Sequence, residues 1–93
     1  MVDEITSFVA ECFWPGVRES DLHALDARAL AHAAALNRAG EDIRYLGSIL
    51  LRDDEVVLCR FQGGAAAVQR VAVDAEIPFE RILEAAQSPW PLR

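Results

Sequence analysis

Residues 44–61 read RYLGSILLRDDEVVLCRF, and their patterning decides the fold. Two apolar runs flank Asp53-Asp54, which marks a hairpin. A strand with one face in water alternates apolar and polar residues, because successive side chains point to opposite faces. Here both parities of the first run are apolar: Tyr45, Ile49 and Leu51 on one, Leu46 and Leu50 on the other. The second run repeats this, with Val57, Cys59 and Phe61 set against Val56 and Leu58. A sheet built from such strands needs a cover on each side.

Working outward, residues 5–14 (ITSFVAECFW) are rich in β-branched and aromatic side chains and stop at Pro15-Gly16, which predicts a strand and a turn. This strand also carries two apolar sets, Phe8, Ala10, Cys12 and Trp14 against Val9 and Phe13. Residues 19–39 read as a helix. Glu19 and Asp21 complement the dipole in its first turn, Gly40 suits the position after its end, and Leu22, Leu25, Ala29, Ala33 and Leu36 form one apolar stripe. The hairpin strands are predicted at 42–51 and 55–62, and Gly63-Gly64 breaks the pattern. A second helix is predicted at 65–76, with Val68, Val71, Ala72 and Ala75 on one side and Pro78 beyond its end. Residues 79–85 (FERILEA) read as an edge strand, and the tail QSPWPLR as extended chain.

The order β-α-β-β-α-β predicts an α+β, ferredoxin-like fold, a four-stranded antiparallel sheet with two helices on one face. One domain is expected over residues 1–93, with its core in 5–85 and a tail from 86 to 93. Two helices cover only one of the apolar sets. The other would leave a patch larger than the few hundred Å² that monomers ordinarily expose, about 300–600 Å² at most. Packing two sheets face to face in a two-fold dimer removes it, so a homodimer of the dimeric α+β barrel kind is expected.

Composition narrows the partners. The chain is 53% hydrophobic with a net charge of −6 and no basic cluster. Nucleic acid and anionic membranes are therefore not expected as partners, since both are held by Lys and Arg. The N-terminal residues are acidic where a leader is basic, no apolar run is long enough to span a bilayer, and a soluble cytoplasmic protein is expected. Cys12 and Cys59 are far apart in sequence with no metal-type spacing, and both parities point them at the helices as buried thiols.

Polar residues on the open face are the candidates for chemistry. Glu11 and Arg60 each interrupt an apolar strand, so a carboxylate and a guanidinium would share a partly buried chamber. There they would anchor the polar end of a ligand or simply neutralise each other. Tyr45 and Ser48 are further ligand-binding candidates, but only one of them can share the face of Arg60. A loop of two or four residues puts Tyr45 there and Ser48 beside Cys59; a three-residue loop reverses this. His23 and His32 are nine residues apart in one helix, and at about 100° per residue they diverge, leaving His32 alone as a weak metal candidate at the edge of the core stripe. No zinc-type cluster, phosphate loop or nucleophile elbow is present, and the sequence assigns no cofactor.

FVAECFWPGV, YLGSILLRDDEVVLCRF and AVQRVAVDAEIPFERILEA, taken together, resemble a widespread bacterial family, the domain of unknown function numbered 4242, whose members are labelled nickel-binding-protein-like. The resemblance runs from about Ser7 to Ala85. It rests on Glu11 with Pro15-Gly16, Ser48, Cys59 and the closing Ile77-Pro78…Ile82 segment. It implies a ferredoxin-like dimer. Nickel binding would need donors grouped in space, and the two histidines here diverge.

The expected function is that of a small dimer binding a small molecule or metal between its sheets, rather than an enzyme. The alternatives are a cofactor-independent monooxygenase or cyclase with Glu11 or His32 as base, and a purely structural interaction module that docks its Trp90 tail.

Overall fold

The computed structural model describes residues 5–87. Trp90 and the proline-containing tail lie outside the described residues. The elements follow the expected order: β1 (Ile5–Phe13), α1 (Glu19–Arg38), β2 (Ile43–Leu51), β3 (Val56–Gly63), α2 (Ala65–Asp74) and β4 (Arg81–Gln87). The strands form one sheet in the order β2-β3-β1-β4, antiparallel at every pair. This is the ferredoxin-like α+β fold.

Both helices lie on one face. Leu25, Ala29, Ala33 and Leu36 of α1 and Ala67, Val68, Val71 and Ala72 of α2 are buried in a single core with Ala10, Cys12, Val57, Cys59 and Phe61 of the sheet. Each fully buried Leu, Val or Phe contributes about 1.5–3 kcal/mol, so this stripe-on-sheet contact dominates the stability. Leu22 packs at its margin, and His23 and Leu30 are exposed on the outer side of α1.

Both helix ends are built by local bonds. At the start of α1, the Arg18 N–H donates to Asp21 Oδ2 at 2.9 Å, and that bond holds the Asp21 carboxyl below the usual carboxylate range. At its end, Gly40 (φ 98°) turns the chain while Gly40 N–H reaches Asn37 O and Glu41 N–H reaches Leu36 O, each at 3.0 Å, a Schellman closure. The second helix is shorter than the sequence predicts. It stops at Asp74 because Glu76 takes the left-handed conformation (φ 58°) and closes the same motif, with Ile77 N–H on Ala72 O at 3.0 Å. Arg28 of α1 secures this end by donating from Nε to Ala75 O at 2.7 Å. The last strand begins at Arg81 rather than at 79, because Ile77 is still buried in the core and Phe79 packs against it.

Two features shape β2, an outer strand of the sheet. The side-chain amide of Asn37 donates to Ile43 O at 2.8 Å and accepts from Ile43 N–H at 3.2 Å, which occupies both main-chain groups of that residue. Further along, the register slips: Tyr45 lies opposite Phe61, whereas Gly47 lies opposite Arg60, so Leu46 is an extra residue, a β-bulge. Gly47 has φ 110°, which a side chain would strain. No helix among the described residues is long and apolar enough to cross a membrane.

Candidate functional site

The far face of the sheet is open. By the register of the ladders its side chains include Ser7, Val9, Glu11 and Phe13 of β1, Val56, Leu58, Arg60 and Gln62 of β3, Arg44, Ile49 and Leu51 of β2, and Arg81 and Leu83 of β4. Phe13 is 54% exposed, and Ile49, Leu51 and Leu83 about 40% each. None of the described elements covers them. Among the described residues, the second apolar set read from the sequence therefore stands uncovered.

Glu11 and Arg60 both stand on this face, as their parity predicts, but they do not meet. Glu11 lies opposite Leu58 on one side and Arg81 on the other, and Arg60 lies opposite Val9 and Gly47. The carboxylate of Glu11 is taken by Arg81, Nε to Oε1 at 2.6 Å, and this contact raises the Arg81 guanidinium above its ordinary value. Sequence patterning gave no sign of this, since Arg81 is brought alongside only by the β1–β4 register. Arg60 rests instead on backbone, donating from one terminal nitrogen to Leu46 O at 3.3 Å. Its Nε is shielded from solvent and has no hydrogen-bond partner among the described residues.

Tyr45 and Ser48 must be corrected. The hairpin loop is the four-residue kind, Leu51 facing Val56 across Arg52–Glu55, and Ser48 lies opposite Cys59 as that loop requires. Tyr45, however, does not join Arg60. The bulge at Leu46 shifts the register by one before Tyr45 is reached, and a one-residue shift turns a side chain to the other face. Tyr45 and Ser48 thus both point at the helices, and neither lines the open face.

They meet Asp26 there. Its Oδ1 accepts from the Tyr45 hydroxyl at 2.6 Å and from Ser48 Oγ at 2.9 Å. Burial, together with the hydrogen bond to Asp26, pushes the Tyr45 phenol far above its ordinary value and keeps it a neutral donor. The ring packs edge-on against Phe61, with centroids 5.1 Å apart. Behind it lie Cys59 and Cys12, free and fully buried. The Cys12 contact, reinforced by burial, raises the Cys59 thiol, so neither its chemistry nor its access suits a nucleophile. Asp26 escaped the sequence reading. The sign was available: an aspartate in a helix interior, one residue after Leu25 and four after Leu22, at the edge of the apolar stripe.

His32 is half-buried on α1, on the helix side of the sheet, and is not brought near Glu11 or Arg60. No group of three or more His, Cys, Asp or Glu side chains gathers as a metal site would among the described residues. Two surface hollows lie off the open face. A groove of about 230 Å³ runs beside Leu30, Ala33, Asn37 and Ile43, and a hollow of about 100 Å³ lies among Val17, Leu50, Arg52 and Glu55.

Comparison with known proteins bears on the architecture. The chain is similar to the crystal structure of SCO4226 from Streptomyces coelicolor A3(2), with a TM-score of 0.66 at 22% identity over 94% of this chain and 98% of that one. The likeness is one of fold. SO0527 from Shewanella oneidensis is more distant, with a TM-score of 0.40 at 17% identity over 96% of this chain and 95% of that one. No family model matches the sequence, and no curated protein does.

Proposed function

We propose that the chain works as a homodimer whose open sheet faces pack together and enclose a small molecule. The observation that supports this reading is the uncovered apolar surface of Val9, Phe13, Ile49, Leu51, Leu58 and Leu83. An exposed apolar patch of this kind on a small domain marks a contact surface, and a second copy presents the same surface in register with a two-fold axis. A cation stands in the middle of the patch, at Arg60, with its charge unmatched by any described carboxylate. Charge left in an apolar interface needs a counterpart, which favours an enclosed polar ligand over a dry contact. The sequence resemblance to the family numbered 4242 belongs to the same reading, as do a cytoplasmic location and the absence of nucleic-acid partners.

Binding is preferred to catalysis because Glu11, the carboxylate that an enzyme reading would use as base, is tied to Arg81 at 2.6 Å. A general base must have its oxygen free to meet the substrate's proton, and Oε1 of Glu11 is already occupied by the Arg81 guanidinium. Native mass spectrometry of freshly purified protein tests the proposal. A dimer carrying a small-molecule adduct is expected. A monomer at micromolar concentration overturns it.

A further inference from the structure

We infer that the ligand of the open face is a small apolar acid, with Arg60 as the group that receives its carboxylate. This rests on the reading of that face as a ligand chamber. Three observations carry it. The first is the isolation of the cation. Among the described residues no carboxylate pairs with Arg60, while the nearest acid on the same face, Glu11, is consumed by Arg81. On this face Arg81 is matched by Glu11 and Arg44, opposite Gln62, is exposed, so Arg60 is the half-buried cation without a carboxylate among the described residues, in a chain of net charge −6.

The second is the incomplete state of the guanidinium. A guanidinium has five N–H donors in a planar fork that matches a carboxylate edge. Here one terminal nitrogen makes a long 3.3 Å bond to Leu46 O, and Nε makes none although it is shielded from water. A buried donor left unpaired is costly, so this resting arrangement is one that an incoming anion improves. The third is space. The residue opposite Arg60 on β2 is Gly47, and a methyl group built on it would meet nothing within 4 Å. Gly47 thus leaves open space on one side of Arg60, with Val9 opposite it on the other. Val9 and Leu58 supply apolar neighbours and the guanidinium a cationic one. An amphipathic monocarboxylate matches both.

Hexanoate, and hexanamide as its neutral isostere, test the assignment on the full-length protein. Each is titrated while the Nε–H resonance of Arg60 and the amides of β1 and β3 are followed by NMR. Sedimentation is run in parallel on wild type and Arg60→Met. We expect hexanoate to bind wild type roughly tenfold more tightly than hexanamide, a preference typical of a charge-assisted fork. It should move the Arg60 Nε–H signal, and Arg60→Met should lose the preference while remaining folded and dimeric. Arg60→Lys, which keeps the charge without the fork, should retain part of it.

Equal binding of the two probes to a wild-type dimer overturns the carboxylate assignment and leaves the chamber standing. Failure of both probes to bind also overturns the assignment, and sedimentation then reports separately on the dimer. If Arg60→Met turns a wild-type dimer into monomers, Arg60 pairs with an acidic side chain of the second copy, and the assignment falls for that reason.

Discussion

Asp26 holds two hydroxyls from another element on one carboxylate oxygen, and the arrangement makes demands on each partner. Replacing it by alanine strands Tyr45 Oη and Ser48 Oγ on the helix side of β2. Leaving a buried donor without its acceptor costs about 1–3 kcal/mol, so Asp26→Ala should lower stability by that amount in chemical denaturation. An unchanged midpoint would mean that water replaces the carboxylate at no cost. Tyr45 gives a second test, because it is the single tyrosine of the chain. Its folded-state pKa is raised, so the folded protein keeps a proton that the unfolded chain releases above about 10. Stability should therefore be intact below that pH and fall as pH rises beyond it, at up to about 1.4 kcal/mol per unit from this group. Tyrosinate absorbance should appear only together with unfolding. A reversible rise near the ordinary phenol value, with the fold intact, would contradict the buried hydrogen bond. The Tyr45–Asp26 contact was out of reach of sequence patterning because it joins α1 to β2 across 19 positions. The burial of Cys12 and Cys59 was legible, because parity alone decides it.

At the scale of elements, the sequence was read well wherever local chemistry sets the boundary. Gly40 closes α1 where its conformational freedom is required, and Asp53-Asp54 lies within the hairpin loop. It was read less well where a long-range contact sets the boundary, as with Arg28 on the end of α2, or where one residue is inserted into a strand. The bulge at Leu46 is the decisive case. Nothing in YLGSILL forbids a regular strand, yet with Gly47 at φ 110° the chain gains a residue and sends Tyr45 to the core. Gly47→Ala should cost about 1–3 kcal/mol from backbone strain, even though the space beside it is empty. The change should be visible as a lower melting temperature and as shifts confined to β2 and its neighbours. An alanine tolerated without loss would mean that the bulge persists with the glycine's special conformation abandoned.

For the molecule as a whole, one face of the sheet is sealed by two helices and no described element covers the other, and the doubled apolar patterning of RYLGSILLRDDEVVLCRF announced both halves of that fact. It could not announce the ion pair of Glu11 with Arg81, which leaves Arg60 without a carboxylate among the described residues. If the open faces pack together, Leu58→Glu places a carboxylate at the centre of the contact. The expected result is a shift from dimer to monomer by sedimentation, with far-ultraviolet circular dichroism unchanged, since Leu58 is not part of the core beneath the helices. A dimer that survives Leu58→Glu would assemble through some other surface.

The Asn37 side chain has a bearing on how far any assembly can grow. By satisfying both main-chain groups of Ile43, it imitates a neighbouring strand, and the bulge at Leu46 interrupts the regular edge a few residues further on. The two borders of the sheet are consequently unequal: β2 is plugged at Ile43, and among the described residues no strand lies beyond β4. A fibre of molecules joined border to border needs a β2 that accepts the β4 of the next copy, and a plugged β2 terminates that chain at its first link. Asn37→Ala removes the plug. Under light scattering at high concentration it should polymerise faster than the parent protein, and equal rates would assign the restraint to the bulge alone.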